Sequence, residues 1–152
     1  MSGYTDALRL LARRELSVSQ VRSRLLDRDH SPEATDAALT RLLETGALDD
    51  RRVARAYART AVSIKGRGRL RVTRELEAMG IAREVAAEAI AEVFGDLDED
   101  ALIDKAIRKK LRGGKTLATM RERARLHAFL ARQGFTSAAI SAALRRVAAD
   151  DD

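Results

Sequence analysis

Apolar residues recur at three- and four-residue spacing along almost the whole chain, and no window alternates apolar and polar with period two. That is the period of helices rather than strands. It places Leu8, Leu11 and Ala12 on one face, Val21 with Leu25 on another, and then Ala34, Ala38 and Leu42. Helix punctuation agrees. Ser17 followed by Gln20 has the form of a capping box, in which the serine oxygen accepts from a first-turn amide and the glutamine reaches back. Ser31-Pro32-Glu33 puts a cap before a proline at the first helical position, with an acid at the positive end of the helix dipole. Gly46 closes one helix and Asp49-Asp50 opens the next. Gly80 and Gly134 stand where left-handed C-cap glycines belong, and Asp98 and Thr136 where N-caps belong. The pattern predicts nine helices, over about 4–14, 18–28, 32–45, 50–63, 68–79, 83–94, 98–112, 117–133 and 137–149.

The order of these helices repeats. "VRSRLLDRDHSPEATDAALTRL" (21–42), "VTRELEAMGIAREVAAEAIAEV" (72–93) and "ARLHAFLARQGFTSAAISAALRRV" (124–147) align. Leu25, Leu76 and Leu130 occupy matching places, 51 and 54 residues apart. So do Asp29, Gly80 and Gly134, and Leu39, Ile90 and Leu144. Each unit is three helices with a tight turn between the second and third. Asp29 fits a turn that is glycine elsewhere, because Asp tolerates the left-handed conformation better than most residues. The units run over 1–48, 49–96 and 97–149, with an acidic tail at 150–152. One unit of this size closes only a small core. Three in tandem bury their apolar edges on one another. The expected fold is all-α: three tandem three-helix repeats in an elongated curved array, on the order of 60 Å long.

Composition fits helices. Of 152 residues 45% are apolar but only 3% aromatic, with a single proline, so the core must be built from Leu, Ala, Val and Ile. Charged residues make up 34% and the net charge is +6, which favours an anionic partner, foremost nucleic acid. The absence of Cys excludes disulfides, thiolate metal sites and Cys nucleophiles, and is compatible with a reducing cytoplasm. "MSGYTDALRLLARREL" lacks the continuous apolar stretch of a signal peptide. No run approaches the ~18 apolar residues of a membrane span. A cytoplasmic protein without membrane contact is expected.

The cations favour the first two helices of each unit. The first unit carries Arg13, Arg14, Arg22, Arg24 and Arg28, and the second carries Arg51, Arg52, Arg55 and Arg59. Then comes "IKGRGRLRVTREL" (64–76), with Lys65, Arg67, Arg69, Arg71 and Arg74. The third unit carries Lys105, Arg108, Lys109, Lys110, Arg112, Lys115, Arg121, Arg123 and Arg125. Aligned like faces would make a basic stripe that neutralises phosphates with little sequence preference. For any single Arg, a solvated helix face is the plainer account. "GRG" is no Walker loop, since the Gly-Lys-Ser/Thr ending and the preceding strand are missing. Its glycines turn the chain between two helices and its leucines enter the core. The amides at the following helix start offer an anion site. The acids at 96–104 read as capping charges on the next helix. His30 and His127 lie far apart in the repeat frame, and no Ser-His-Asp or nuclease-like constellation is visible. No catalytic residue, metal site or cofactor is assigned.

These segments resemble the RecX family of regulators of the RecA recombinase, from about Ala7 to Leu144. "ALRLLARRELSVSQVRSRL" looks like the family's first-repeat signature, and "LLETGALDDRRVARAYART" like the segment joining first and second repeats. "KGRGRLRVTRELEAMGI" resembles its most specific piece, and "FLARQGFTSAAISAAL" its closing repeat. The resemblance implies repeats that are each helix-turn-helix-like. It implies a modulator, mainly an inhibitor, that lies in the groove of the RecA–DNA filament and restrains strand exchange, ATP hydrolysis and co-protease activity. Such a protein is not an enzyme. Its partners would be the RecA filament and, weakly and without sequence preference, single- or double-stranded DNA, with the protein acting as a monomer. The sequence departs from the family at Asp29-His30, which makes the first turn less apolar, and in the acidic tail. The basic stripe and the resemblance together select Lys65, Arg67, Arg69, Arg71, Arg74, Arg13, Arg14, Arg108, Lys109, Lys110, Lys115, Arg121 and Arg125 as the contact surface. The alternative is a helix-turn-helix DNA-binding regulator without RecA contact. Against it, the third helices offer few Arg, Asn or Gln side chains to reach base edges. The net charge argues against a helical adaptor with no nucleic-acid contact.

Overall fold

The computed structural model describes residues 1–112 and 117–150, and among these the only regular elements are nine α-helices. They are α1 (Gly3–Arg13), α2 (Val18–Asp27), α3 (Pro32–Glu44), α4 (Asp50–Ser63), α5 (Arg69–Ala78), α6 (Arg83–Gly95), α7 (Glu99–Lys110), α8 (Met120–Gln133) and α9 (Ser137–Asp150). The local chemistry sets most of the boundaries. Ser17 Oγ accepts from the Gln20 amide at 3.1 Å while Gln20 Oε1 accepts from the Ser17 amide at 2.9 Å, which completes the capping box of α2. Ser31, Asp98 and Thr136 each accept from an amide three residues on. Most bounds fall within two residues of expectation, and one differs by three. α8 starts at Met120 rather than 117, because Thr119 and Glu122 form a second capping box. Asp29 takes φ +65, as its place in the repeat requires, and Gly46, Gly80 and Gly134 are likewise left-handed.

The chain divides into two compact units. The first joins Met1–Tyr57 to Glu75–Ala89; the second joins Ala58–Arg74 to the chain from Ile90 onward. The middle three helices are thus shared between the units. In the first unit, α1–α3 close on Leu10, Leu16, Val21, Leu25, Leu39, Leu42 and Leu48. In the second, α7–α9 close on Ile103, Ile107, Leu126, Leu130, Phe135, Ile140 and Ala143. The three matching leucines, Leu25, Leu76 and Leu130, are all fully buried. Two expectations fail. The inward face of α1 is Gly3, Asp6, Ala7 and Leu10; of Leu8, Leu11 and Ala12 only Leu11 packs against that core, partly buried, while Leu8 and Ala12 are exposed. α1 approaches α3 closely there: a Cβ on Gly3 would lie 3.4 Å from Ala38 Cβ. Leu70 stays 46% exposed and Ile64 77%, so of the apolar residues in that segment only Val72 and Leu76 enter a core.

Each unit contains the same kind of joint. In the first, the start of α2 meets the turn after α5. Ser17 Oγ donates to the Met79 carbonyl at 2.5 Å, and a Cβ on Gly80 would lie 2.4 Å from Ser19 Cβ. In the second, the start of α5 meets the turn after α8. The Gly68 amide donates to the Gln133 carbonyl at 2.7 Å, and the Leu70 amide to the Gly134 carbonyl at 3.0 Å. The residues correspond through the repeat, Ser17 with Gly68 and Met79 with Gln133. In both cases a helix start, rich in unused donors, meets a helix end, rich in unused acceptors. Each such bond contributes about 1 kcal/mol, and the opposed dipole ends add a few tenths more. The second joint demands glycine twice. A Cβ on Gly68 would fall 2.6 Å from the Gly134 carbonyl carbon, and one on Gly134 would fall 2.4 Å from Arg71 Cβ.

This geometry separates two costs. Gly46 has φ +78 with nothing within 4 Å of an added Cβ, whereas Gly134 has φ +105 and a clash. Gly46→Ala is expected to lose about 1 kcal/mol, the backbone cost alone. Gly134→Ala should lose a further ~1–3 kcal/mol from overpacking. Urea denaturation of both variants checks this, and equal losses would show that the joint is not closely packed.

Candidate nucleic-acid interface

The basic segment after α4 is shaped by backbone bonds. The Gly66 amide donates to the Val62 carbonyl at 3.1 Å and the Arg67 amide to the Ala61 carbonyl at 2.9 Å, so the loop folds back on the end of α4. Gly66, at φ +64, permits the reversal. Gly68 then docks on the α8–α9 turn and α5 begins. Two of the amides expected to offer an anion site at this helix start are already used: those of Gly68 and Leu70 serve the Gln133 and Gly134 carbonyls.

The cations of this segment fall into two groups. Arg69 Nε donates to Glu99 Oε1 at 3.1 Å, and its guanidinium carbon lies 5.3 Å from the Phe94 ring centre. Arg71 Nη1 donates to Gln133 Oε1 at 3.1 Å, which brings the side chain onto the second joint. These two hold the second unit together. Arg67 is half-buried. Lys65 and Arg74 are exposed, and neither has an ion-pair partner among the described residues. Arg13, Arg14, Arg108, Lys109, Lys110, Arg121 and Arg125 are exposed as well. Arg108, Lys109 and Lys110 occupy the last turn of α7, where they complement the negative end of its dipole. Lys110 Nζ also lies 4.4 Å from the Phe129 ring centre. Arg121 and Arg125 lie on α8, and Arg13 and Arg14 at the end of α1 in the first unit. Lys115 lies outside the described residues. The acids at 96–104 are only partly caps. Asp98 caps α7, but Glu99 pairs with Arg69, and Asp100 and Asp104 pair with Arg146.

A polar cluster that periodicity did not reveal lies in the first unit. Asp6, only 6% exposed, is ion-paired with Arg28 and hydrogen-bonded to His30 Nε2 at 2.9 Å. His30 is thus the partner of a buried carboxylate, which answers for its place at the first turn. The His30 hydrogen bond, helped by Arg28 and opposed by burial, holds the Asp6 carboxyl below its ordinary 3.8. An Asp inside an otherwise apolar helix face was the one available signal. Among the described residues no group of three or more His, Cys, Asp or Glu side chains could hold a metal ion, and no helix is long and apolar enough to cross a membrane.

Three family models match in order: RecX, first three-helix domain, over residues 4–42; RecX, second three-helix domain, over 49–90; and RecX, third three-helix domain, over 98–144. The Regulatory protein RecX of Halorhodospira halophila is 38% identical over 147 residues, covering 96% of this chain and 87% of that one. That of Pelodictyon phaeoclathratiforme is 32% identical over 151 residues, covering 97% and 92%. Among solved structures, the crystal structure of RecX from Lactobacillus salivarius matches with a TM-score of 0.81 at 18% identity, covering 95% of this chain and 93% of that one. At that identity the likeness is one of fold.

The Asp6 cluster predicts a defined pH response. With its folded pKa below 3.8, Asp6 contributes its full stabilisation above that value and loses it as pH falls through the lowered one. Asp6→Asn should therefore cost about 2 kcal/mol at neutral pH. The gap to the unsubstituted protein should shrink as denaturation is repeated stepwise below about pH 4. A gap that stays constant to the acid limit would remove the charge from the explanation.

Proposed function

Because this chain belongs to the RecX family, we propose that it modulates the RecA recombinase, mainly as an inhibitor. It binds in the groove of the RecA–DNA filament as a monomer and restrains strand exchange, ATP hydrolysis and co-protease activity. It acts by occupying a surface rather than by catalysis. DNA contact is weak and indifferent to sequence, because cations that meet phosphates carry no base information.

The observation that supports this reading is the set of exposed cations left without ion-pair partners among the described residues: Lys65, Arg74, Arg108, Lys109, Arg121 and Arg125 in the second unit. Other exposed arginines are neutralised at home, among them Arg22 by Asp36, Arg51 by Glu88 and Arg59 by Glu92. Leaving a cation unpaired keeps it available to an external anion. Arg67, Arg69 and Arg71 belong to the same proposed surface, but Arg69 and Arg71 also have structural partners, so their replacement would confound binding with folding.

Added in rising ratio, the protein should lower the DNA-dependent ATP hydrolysis of RecA. Lys65→Ala combined with Arg74→Ala should weaken that effect several-fold and flatten its salt dependence by roughly one to two units of slope. RecA activity that is unchanged at every ratio would overturn the function. An unchanged salt slope would overturn the assignment of these two side chains.

A further inference from the structure

Two adjoining depressions in the first unit are lined by arginine. One is bordered by Arg9, Arg13 and Arg28, the other by Arg13, Arg14, Arg24 and Arg28; they share Leu10, Arg13 and Arg28. Five arginines thus converge on one groove between α1 and α2, against two aspartates, Asp6 and Asp27. Asp6 is already taken by Arg28 and His30. Arg9, Arg13, Arg14 and Arg24 have no ion-pair partner among the described residues. Like charges gathered in this way repel one another unless an anion lies between them. Arg28 adds a fixed point, because Asp6 anchors its guanidinium and His30 anchors Asp6.

We propose that this groove is a binding site for the sugar-phosphate backbone of nucleic acid, working on DNA alone and without RecA. Two depressions that share Arg13 and Arg28 suit two neighbouring phosphates of one strand. Guanidinium groups are well matched to phosphate, which they grip through paired N–H donors. No Phe, Tyr or Trp lines either depression, and the one ring there, the imidazole of His30, is largely buried and bonded to Asp6, so there is no open platform for stacking a base. Binding is therefore through phosphate only, takes single strands and duplexes alike, and reads no sequence. Arg13 and Arg14 also belong to the surface assigned to the filament, and to that extent the site extends the proposed function. Arg9, Arg24 and Arg28 are new to it.

The test is fluorescence anisotropy with labelled oligo-dT and with a mixed-sequence duplex, in rising salt and without RecA. The variant Arg9→Gln/Arg13→Gln/Arg24→Gln keeps the side-chain stems and removes only charges that lack partners. Its melting curve should match that of the unsubstituted protein. It should bind both DNAs on the order of tenfold more weakly near 100 mM salt, with a salt slope smaller by roughly one to two. A variant that binds with unchanged affinity and slope overturns the proposal. So does an unsubstituted protein that binds neither DNA at low salt. A variant that keeps DNA binding but no longer inhibits RecA also overturns it, since the groove would then meet an acidic protein surface. Conversely, arginine-dependent DNA binding by a protein that leaves RecA ATP hydrolysis untouched would support the groove and remove the RecA reading.

Discussion

A helix start pressed onto a helix end is the contact on which the rest of this protein depends. α-Helices leave amides unsatisfied at one end and carbonyls at the other, and burial without partners is costly. Here the two deficits cancel. Gly68 and Leu70 give their amides to Gln133 and Gly134, and Ser17 gives its hydroxyl to Met79. At the second joint the contact is backbone on backbone, which is why Gly134 has room for no side chain; at the first a serine hydroxyl meets a carbonyl, and a Cβ on Gly80 would still clash with Ser19. The same solution at corresponding positions in each unit lets repeats too small to be stable alone hold to their neighbours.

The joint also decides which charges are available. Arg71 is drawn onto the α8 end and Arg69 onto Glu99 at the start of α7. The equivalent positions in the first unit make a related contact, with the Val18 amide donating to Asp50 Oδ1 at 2.9 Å. The segment that looked most like a phosphate device in the sequence is thus largely architectural. Its glycines allow close approach and two of its arginines brace it. Lys65 and Arg74 remain without ion-pair partners among the described residues, as do Arg9, Arg13, Arg14 and Arg24 around the α1–α2 groove. Binding capacity on this account resides in what the fold does not consume.

Much of the fold was legible because it is local. Ser17-Gln20, Ser31-Pro32, Asp98 and Thr136 announce their helices within four residues, and Asp29, Gly80 and Gly134 mark the turns by their places in the repeat. The inner face of α1 was misread because "ALRLLA" supports two apolar faces, and the correct one contains Asp6, whose partners Arg28 and His30 lie more than twenty residues away. The second joint left no side-chain signature beyond two glycines 66 residues apart. For the candidate surface, the sequence displays which residues are cationic but not which have partners. Pairings such as Arg69–Glu99 and Arg146–Asp104 are set by tertiary contact.

Occupation of the RecA filament is the central claim, and co-sedimentation tests it most directly. Preformed RecA filaments on single-stranded DNA should carry this protein into the pellet at saturating stoichiometry. RecA alone should carry far less, and rising salt should release it before the filaments dissolve. If the protein stays in the supernatant with intact filaments at low salt, the account of its function is contradicted.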